Sequence, residues 1–409
     1  MTKSALTFFF LLMASIAFSQ ETNDLKIFID CESCDNTYIK QNLSQVEFVR
    51  DQNFADVHLF FTRQTNGSGG SLYQIEFIGK SVFKDLNDKI SFSTDTNMTD
   101  DDIRQKTLKF IKLGLVRYWL KKGETEYISV NVVAPDSTAG KEREKDPWNY
   151  WVFNLNANTY LNGQESSKSS YINLSVAAKR VTEKNKFSAR ISYNENKQTF
   201  SFDGEDIISK NNSKSINVSD VISINPHWSA GAFASVGSSI FSNKDFYYEI
   251  KPAIEYNFFK YSESAKKQLS LSYRNGIVYQ DYIERSIFAM DKETLWEHEI
   301  NLGGSINQEW GNIFGEASFE QYLHDTTLNS LSFYLGASVR LFKGFNLNVN
   351  GNYSITRNQI NLPAGDVSLA ELLLQQQQLK SGYNYFVSFG FSYSFGSIYN
   401  TIVNPRFNF

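Results

Sequence analysis

The feature that most constrains this chain is a two-residue alternation of apolar and polar side chains that recurs from Trp148 to Phe395. Its clearest instance has small or polar residues at most of the positions between Tyr383, Tyr385, Val387, Phe389, Phe391, Tyr393 and Phe395. Because successive side chains of a β-strand point to opposite faces, this segment predicts one apolar and one polar face. Repeated along a chain, the pattern is typical of a transmembrane β-barrel with lipid outside and a polar lumen inside.

Twelve segments carry the alternation, so we predict a mostly β protein built on a 12-stranded antiparallel transmembrane β-barrel. Each segment is about long enough to cross a bilayer when tilted, and an even strand count is typical of bacterial single-chain barrels. The predicted strands are residues 149–161, 170–181, 186–195, 214–224, 227–238, 245–259, 267–279, 294–308, 312–323, 329–342, 344–356 and 382–396.

The connections between these strands alternate between tight and long. Tight turns are predicted at 182–185, 225–227, 309–312 and 342–344, and long polar loops at 196–213, 280–293 and 357–381. Since outer-membrane barrels have short periplasmic turns and long external loops, the first strand should rise from the periplasm. Residues 368–374 favour a short helix in the last loop. The tail, 397–409, either presents Phe409 as an assembly signal or enters the periplasmic opening.

The N-terminus predicts export. Lys3 precedes an apolar stretch from Ala5 to Phe18, and Ala17-Phe18-Ser19 fits a cleavage site, so residues 1–19 read as a signal peptide. No long apolar run follows, which excludes a helical membrane protein. We therefore expect the outer membrane of a Gram-negative bacterium.

Residues 21–133 predict a small periplasmic α+β domain that folds on its own. Apolar strands are expected at 27–29, 56–62 and 72–79, with a helix over 35–43. A longer helix is capped by Thr99 and closes at Gly123, and Ile128, Val130 and Val132 suggest an edge strand. The glycine cluster at 66–70 predicts a hairpin turn. Residues 134–147 carry a mixed charge run and predict a linker to the barrel at 148–396.

The two cysteines, Cys31 and Cys34, stand in Cys-Glu-Ser-Cys. In a secreted chain they can pair, and a structural disulfide or tight turn is favoured over a redox site because the filling typical of thioredoxin-like motifs is absent. Two cysteines with His58 as the only nearby histidine are too few for structural zinc, so no metal and no cofactor are predicted.

The N-terminal region resembles a known family. Phe28-Ile29-Asp30-Cys31 with Cys34-Asp35, Phe48-Val49-Arg50-Asp51, Ala55-Asp56-Val57-His58 and Gly67-Ser68-Gly69-Gly70 carry the likeness. They are similar to the front end of outer-membrane barrel proteins of Bacteroidota-type bacteria, and the strand–helix–strand order is similar to the N-terminal domain of TolB-type periplasmic proteins. The resemblance implies an outer-membrane location and a periplasmic module. It supplies no catalytic residues.

The polar face of the predicted barrel carries charges. The inward positions are Arg190, Glu249, Lys251, Glu255, Arg274, Glu297, Glu299, Glu316, Glu320 and Arg340. We expect Arg274 beside Glu297 and Glu299, and Arg340 beside Glu316 and Glu320. Such charges form either an internal salt-bridge network that fills a narrow barrel or a selectivity ring in a small pore.

Two non-enzymatic functions follow: a narrow, porin-like channel, or a membrane-anchored interaction or assembly protein whose periplasmic module docks a protein partner or gates the barrel. The expected partners are outer-membrane lipid and the barrel-assembly machinery. Nucleic acid is not expected, because the net charge is −4 and basic residues are scattered. The alternative is an outer-membrane hydrolase of phospholipase or protease type, for which His324 beside Asp325 is the best-placed pair.

Overall fold

A computed structural model describes residues 24–67, 69–126, 128–129, 146–202, 205–365, 381–399, 403–404 and 406. It contains a five-stranded sheet in the N-terminal module and a twelve-stranded antiparallel sheet after it. The predicted mostly β class, the count of twelve strands and the small α+β module are confirmed. The signal peptide, Val130, Val132, residues 134–145 and the helix predicted at 368–374 lie outside the described residues.

The module is a mixed sheet with strand order β2-β1-β3-β4-β5. Its elements are β1 (Leu25–Asp30), α1 (Asn36–Asn42), β2 (Val46–Phe48), β3 (Val57–Thr65), β4 (Ser71–Gly79), β5 (Asn87–Thr94) and α2 (Asp100–Lys122). Strands β2, β1 and β3 run parallel, and β3, β4 and β5 run antiparallel. Sequence reasoning located both helices and three strands, and missed β2 and β5.

Helix α2 forms where its sequence signals place it. Thr99 and Asp102 form a capping box, and Gly123 ends the helix in the left-handed conformation with φ of 85°. One side of the helix packs against the sheet, where Ile111 and Tyr118 are fully buried. The described helices include none that is long and apolar enough to cross a membrane. With α2 on one side of the sheet, the other side is left to face the barrel.

The barrel strands follow in simple up-and-down order. They are β6 (Trp151–Gln164), β7 (Ser167–Val181), β8 (Asn185–Phe202), β9 (Glu205–Ser223), β10 (Trp228–Ser239), β11 (Lys244–Asn257), β12 (Lys267–Tyr282), β13 (Lys292–Gln308), β14 (Gly311–Tyr322), β15 (Asn329–Phe342), β16 (Phe345–Thr356) and β17 (Tyr383–Tyr393). We call the end that carries the β7–β8, β9–β10, β11–β12, β13–β14 and β15–β16 connections the short-turn end, after the turns predicted there. The β11–β12 connection at this end is longer, and the opposite end also has tight connections, between β6 and β7 and between β8 and β9.

The predicted long loop at 196–213 is wrong. Strands β8 and β9 continue through it as a hairpin, with Lys197 opposite Lys210 and Phe200 opposite Ile207. The polar composition of this segment predicts a loop. The two strands are nevertheless joined by backbone hydrogen bonds, which do not require apolar side chains. The hairpin therefore extends well beyond the length that a bilayer requires.

The strand register fixes which side chains face outward. Leu335 lies opposite Gly351, whereas Asn348 lies opposite Ser338 and Gly390. Asn346, Asn348, Asn350 and Asn352 share a face with Arg340, and Phe333, Leu335, Ala337 and Val339 lie on the opposite face. These two faces are the lipid-facing and lumen-facing sides that the sequence alternation predicts.

This register predicts opposite environments for two neighbouring sites. In protein reconstituted in lipid, oxygen dissolved in the bilayer should increase the relaxation rate of a spin label at Leu335. A water-soluble nickel chelate should increase the relaxation rate of a label at Asn348. A one-residue slip would exchange the two faces. Labels that report the reverse accessibilities would contradict the register.

The twelve strands are rolled up. Laid flat, they would span about 50 Å, since neighbouring strands lie ~4.8 Å apart. The small module nevertheless lies close to strands near both edges. A Cβ atom on Gly67 would lie 3.0 Å from Cβ of Val181, at the end of β7, and Val49 forms a β-bridge with Tyr399, just beyond β17. Among the described residues β6 and β17 are not hydrogen-bonded to each other, so a seam separates the first strand from the last.

Candidate functional site

The junction between the module and the short-turn end of the barrel holds a cluster of five ionisable side chains. Asp30 ends β1, His58 lies on β3 and Lys80 follows β4, while Glu309 and Arg340 belong to the barrel. Arg340 donates from Nη1 and Nη2 to the two carboxylate oxygens of Asp30, at 2.5 Å each. Lys80 Nζ donates to Glu309 Oε2 at 2.8 Å.

His58 connects the two halves of the cluster. Its ring is fully buried, with Nε2 3.2 Å from Asp30 Oδ2 and Nδ1 3.3 Å from Glu309 Oε2. Carboxylates only accept hydrogen bonds, so both ring nitrogens donate only when the imidazole carries its second proton. The module thus contributes one acid, one histidine and one lysine, and the barrel contributes one acid and one arginine. Each acid lies between the His58 ring and a lysine or arginine.

The carboxylates of this cluster titrate below their ordinary range. Burial raises the pKa of Asp30, but hydrogen bonds and charges from Arg340 and His58 outweigh it, so the pKa ends below the ordinary value. The hydrogen bond with His58, helped by Lys80, lowers the pKa of Glu309 to about 2 against the effect of burial. Both acids are therefore ionised, and hold the cluster together, at neutral pH.

Further contacts fix the module across the opening. Gln64 Nε2 donates to Ser264 Oγ at 2.9 Å, and Lys266 Nζ donates to Glu76 Oε2 at 2.6 Å, both at the β11–β12 connection. The Lys343 ammonium lies 3.5 Å from the centroid of the Phe54 ring. The module therefore touches connections spread round the short-turn end.

The tail after β17 joins the same junction. The Arg50 backbone N–H donates to Ile398 O at 2.9 Å, next to the bridge between Val49 and Tyr399. Of the two placements left open for the tail, its described start pairs with the module at the short-turn end. Phe409 lies outside the described residues.

The predicted pairing of Arg340 with Glu316 and Glu320 is wrong. The hairpin register places Glu320 opposite Ser330 and Glu316 opposite Tyr334. Arg340 lies six residues beyond Tyr334, about 20 Å along the strand at ~3.4 Å per residue. It therefore reaches the short-turn end and binds Asp30, a partner that strand alternation within the barrel could not reveal.

The other predicted lumen charges share the inward face, as the register pairs show, and some of them pair. Arg274 Nη1 lies 3.5 Å from Glu299 Oε1. Glu297 was expected beside Arg274 but binds Lys251 at 2.8 Å instead. Lys251 crosses an intervening strand to do so, because Gly276, opposite Glu297, has no side chain in the way. The remaining predicted lumen positions are Arg190, Glu249, Glu255, Glu316 and Glu320, of which Glu249 lies 3.3 Å from Lys251.

The loop that follows β16 narrows the opposite mouth. Ile360 is 2% exposed and packs with Leu295 and Tyr322 on the inward face of β13 and β14. The Ile287 N–H donates to Leu362 O at 2.8 Å, which ties this loop to the β12–β13 connection. The described part of the loop therefore covers the lumen on the side of β13 and β14.

A cavity of about 680 Å³ lies between the module and the lumen wall. We call it the junction cavity. Its module side includes Phe28, Phe60 and Thr62, and its barrel side consists of amide, hydroxyl and glycine positions together with Arg340. The loop with the Cys31–Cys34 disulfide also lines it, and the bridge has a Cα–Cα distance of 5.5 Å. The disulfide constrains the loop directly after Asp30.

The geometry gives no support to the hydrolase alternative. Asp325 accepts hydrogen bonds from the backbone N–H and Oγ1 of Thr327, at 2.9 and 2.6 Å, and so shapes a turn instead of orienting His324. His298 lies 3.0 Å from Gln321 on the outward face, and His227 contacts a backbone oxygen in a turn. Within the described residues, no three His, Cys, Asp or Glu side chains are grouped so that they could hold a metal ion.

Sequence reasoning missed the junction cluster. Its members come from β1, β3, the end of β4, a barrel turn and β15, so no spacing along the chain links them. One signal was present: in Val57-His58-Leu59 a histidine sits in a strongly apolar strand. A buried ring with two polar nitrogens needs partners, and those partners are Asp30 and Glu309.

Comparison with known proteins gives only distant likenesses. No protein-family model matches the chain, and no curated protein matches it in sequence. A NanC porin is similar over 59% of this chain and all of its own, with 10% identity and a TM-score of 0.29. The translocator domain of the autotransporter NalP from Neisseria meningitidis covers 59% of this chain and 86% of its own, with 13% identity and a TM-score of 0.28. Another porin covers 82% and 91%, with 13% identity and a TM-score of 0.28. Likenesses this distant do not indicate what the protein does.

Proposed function

We propose that this chain is an outer-membrane β-barrel protein whose N-terminal module lies in the periplasm and gates the lumen at the short-turn end. The observation that carries the proposal is the position of the module. One side of its sheet is covered by α2, and the other lies over the short-turn end, held there by Asp30 with Arg340 and by Glu309 with His58 and Lys80.

A membrane location is supported by the outward face. Many large apolar side chains on it are exposed, such as Ile191 at 55% and Ile250 at 55%. Apolar exposure on this scale is costly in water and marks a surface that contacts lipid or protein. Unpaired backbone groups are too costly in hydrocarbon, so we expect β6 and β17, which a seam separates in this structure, to pair with each other in a bilayer.

Gating, as opposed to static filling of the lumen, is supported by the chemistry of the junction. The junction contacts described above include ion pairs and polar hydrogen bonds between two separately packed units. Interfaces of this kind are weaker than hydrophobic cores and can open without unfolding either side. Such a junction suits a module that docks and undocks.

The proposal predicts that the module limits ion flow. In a planar bilayer, the full chain should show little or no conductance, and protein lacking residues 21–147 should conduct severalfold more, because the short-turn mouth is then uncovered. Membrane insertion of both forms is checked by the separation of outer-membrane fractions. Equal conductance of the two inserted forms would contradict gating by the module.

A further inference from the structure

We propose that the junction cavity binds a small solute that carries a carboxylate or phosphate group and an apolar part. The inference goes beyond gating, and it does not require that the barrel conduct. At about 680 Å³ the cavity lies within the range of small-molecule sites, ~300–1,000 Å³.

The topology of the module makes a binding crevice at this point. Strands β1 and β3 run parallel and adjacent, with Asp30 opposite Phe60. After β1 the chain leaves to one side towards β2, and after β3 it turns to the other side into β4. Where successive connections leave in opposite directions, a crevice opens beyond the C-terminal ends of the strands, and open α/β sheets bind ligands there. The barrel wall closes this crevice into the junction cavity.

The charges of the lining favour an anion. Three arginines line the cavity, Arg50, Arg63 and Arg340, against two acids, Asp30 and Glu32. Arg340 is engaged by Asp30, and Glu32 accepts a hydrogen bond from Asn312 at 3.1 Å. Among the described residues, Arg50 and Arg63 form no ion pair with a carboxylate. Two guanidinium groups in one cavity without carboxylate partners are suited to an incoming anion, since the planar fork matches carboxylate and phosphate oxygens.

Arg63 is held ready for such a ligand. Its Nε donates to Ser71 Oγ at 2.8 Å, and its guanidinium carbon lies 5.7 Å from the centroid of the Tyr73 ring. These contacts use the Nε side and one face of the guanidinium and leave the terminal nitrogens available. A pre-ordered arginine loses less side-chain freedom when an anion binds.

The apolar part of the solute would meet aromatic rings. Phe28 and Phe60 line the same cavity and offer apolar surface in addition to the arginines. The lining therefore matches a solute with one anionic end and one apolar end.

The test is calorimetric titration of the full-length protein in detergent with phenyl phosphate, benzoate, inorganic phosphate and the neutral benzyl alcohol. We expect saturable binding of phenyl phosphate and benzoate, weaker binding of inorganic phosphate, and benzyl alcohol at least about tenfold weaker than benzoate. Arg50→Gln together with Arg63→Gln should weaken the binding of phenyl phosphate at least about tenfold. The matched control Arg117→Gln, on the α2 side, should bind as the unaltered chain does.

A second measurement uses the unaltered chain and so does not depend on whether the variants fold. Phenyl phosphate should protect Arg50 and Arg63 from modification by phenylglyoxal, read by peptide mass, while Arg117 stays reactive. Absence of saturable anion binding, equal affinity for benzyl alcohol, or no protection of the two arginines would overturn the proposal. Because binding is measured in detergent and gating by conductance, failure of one leaves the other standing.

Discussion

Arg340→Ala should detach the module from the barrel in a large fraction of molecules. Asp30 is 11% exposed and would lose both hydrogen bonds from the guanidinium, and the Glu309 backbone oxygen would lose its bond from Arg340 Nη1 at 2.9 Å. Removal of one partner of a buried, hydrogen-bonded charge pair costs roughly 2–5 kcal/mol, and each ~1.4 kcal/mol shifts an equilibrium tenfold. We expect docking to weaken by at least about tenfold.

The effect is measured as the distance between spin labels at Lys112, on α2, and Glu183, in the β7–β8 turn. The unaltered chain should give one narrow distance distribution and Arg340→Ala a broad one. Conductance should rise in parallel and favour cations, because Glu309 then lies at the opened mouth without the positive charge of Arg340. The control is Arg117→Ala, which breaks the exposed pair with Asp88 and should cost no more than about 1 kcal/mol. A narrow distribution in Arg340→Ala would mean that other contacts hold the module.

The barrel could be predicted from the sequence because its determinants are local. Alternation places Leu335 outward and Asn348 inward whatever the rest of the chain does, and the tight turns set the order of the strands. The α2 helix was predictable for the same reason, since Thr99, Asp102 and Gly123 act within a turn of its ends. In the β8–β9 hairpin the polar composition of residues 196–213 predicts a loop, although these residues continue the two strands.

The junction could not be predicted, because it depends on how two units are placed relative to each other. Asp30 and Arg340 are 310 residues apart, and each satisfies its local pattern equally well with or without the other. The pairing of Lys251 with Glu297 shows the same limit on a smaller scale. It depends on a glycine on the strand between them, which alternation does not register.

Acidification should release the module. The pKa of Glu309 is lowered to about 2 in the docked state, and that of Asp30 is lowered as well. In the undocked state Glu309 loses His58 and Lys80 and Asp30 loses Arg340, so both pKa values move back towards the ordinary range. A group whose pKa is depressed in the docked state stabilises that state fully above its ordinary pKa, and the contribution is lost as the pH falls through the docked value. Docking should therefore be constant from neutral pH down to about 5 and weaken progressively between about 4.5 and 2.

The size of this effect is limited by solvent. Glu309 is 38% exposed, so solvent screening reduces the contribution of its pKa shift to the docking free energy to about 1 kcal/mol. The more deeply buried Asp30 should contribute more. The label pair at Lys112 and Glu183 provides the measurement, as a distance distribution that broadens below about pH 4.5. Glu309→Gln keeps the shape of the side chain and removes its titration, so docking in this variant should be weaker at pH 7 and less dependent on pH. If the unaltered chain and Glu309→Gln respond to acid identically, Glu309 is not part of the acid response, and the pair of Asp30 with Arg340 must account for it.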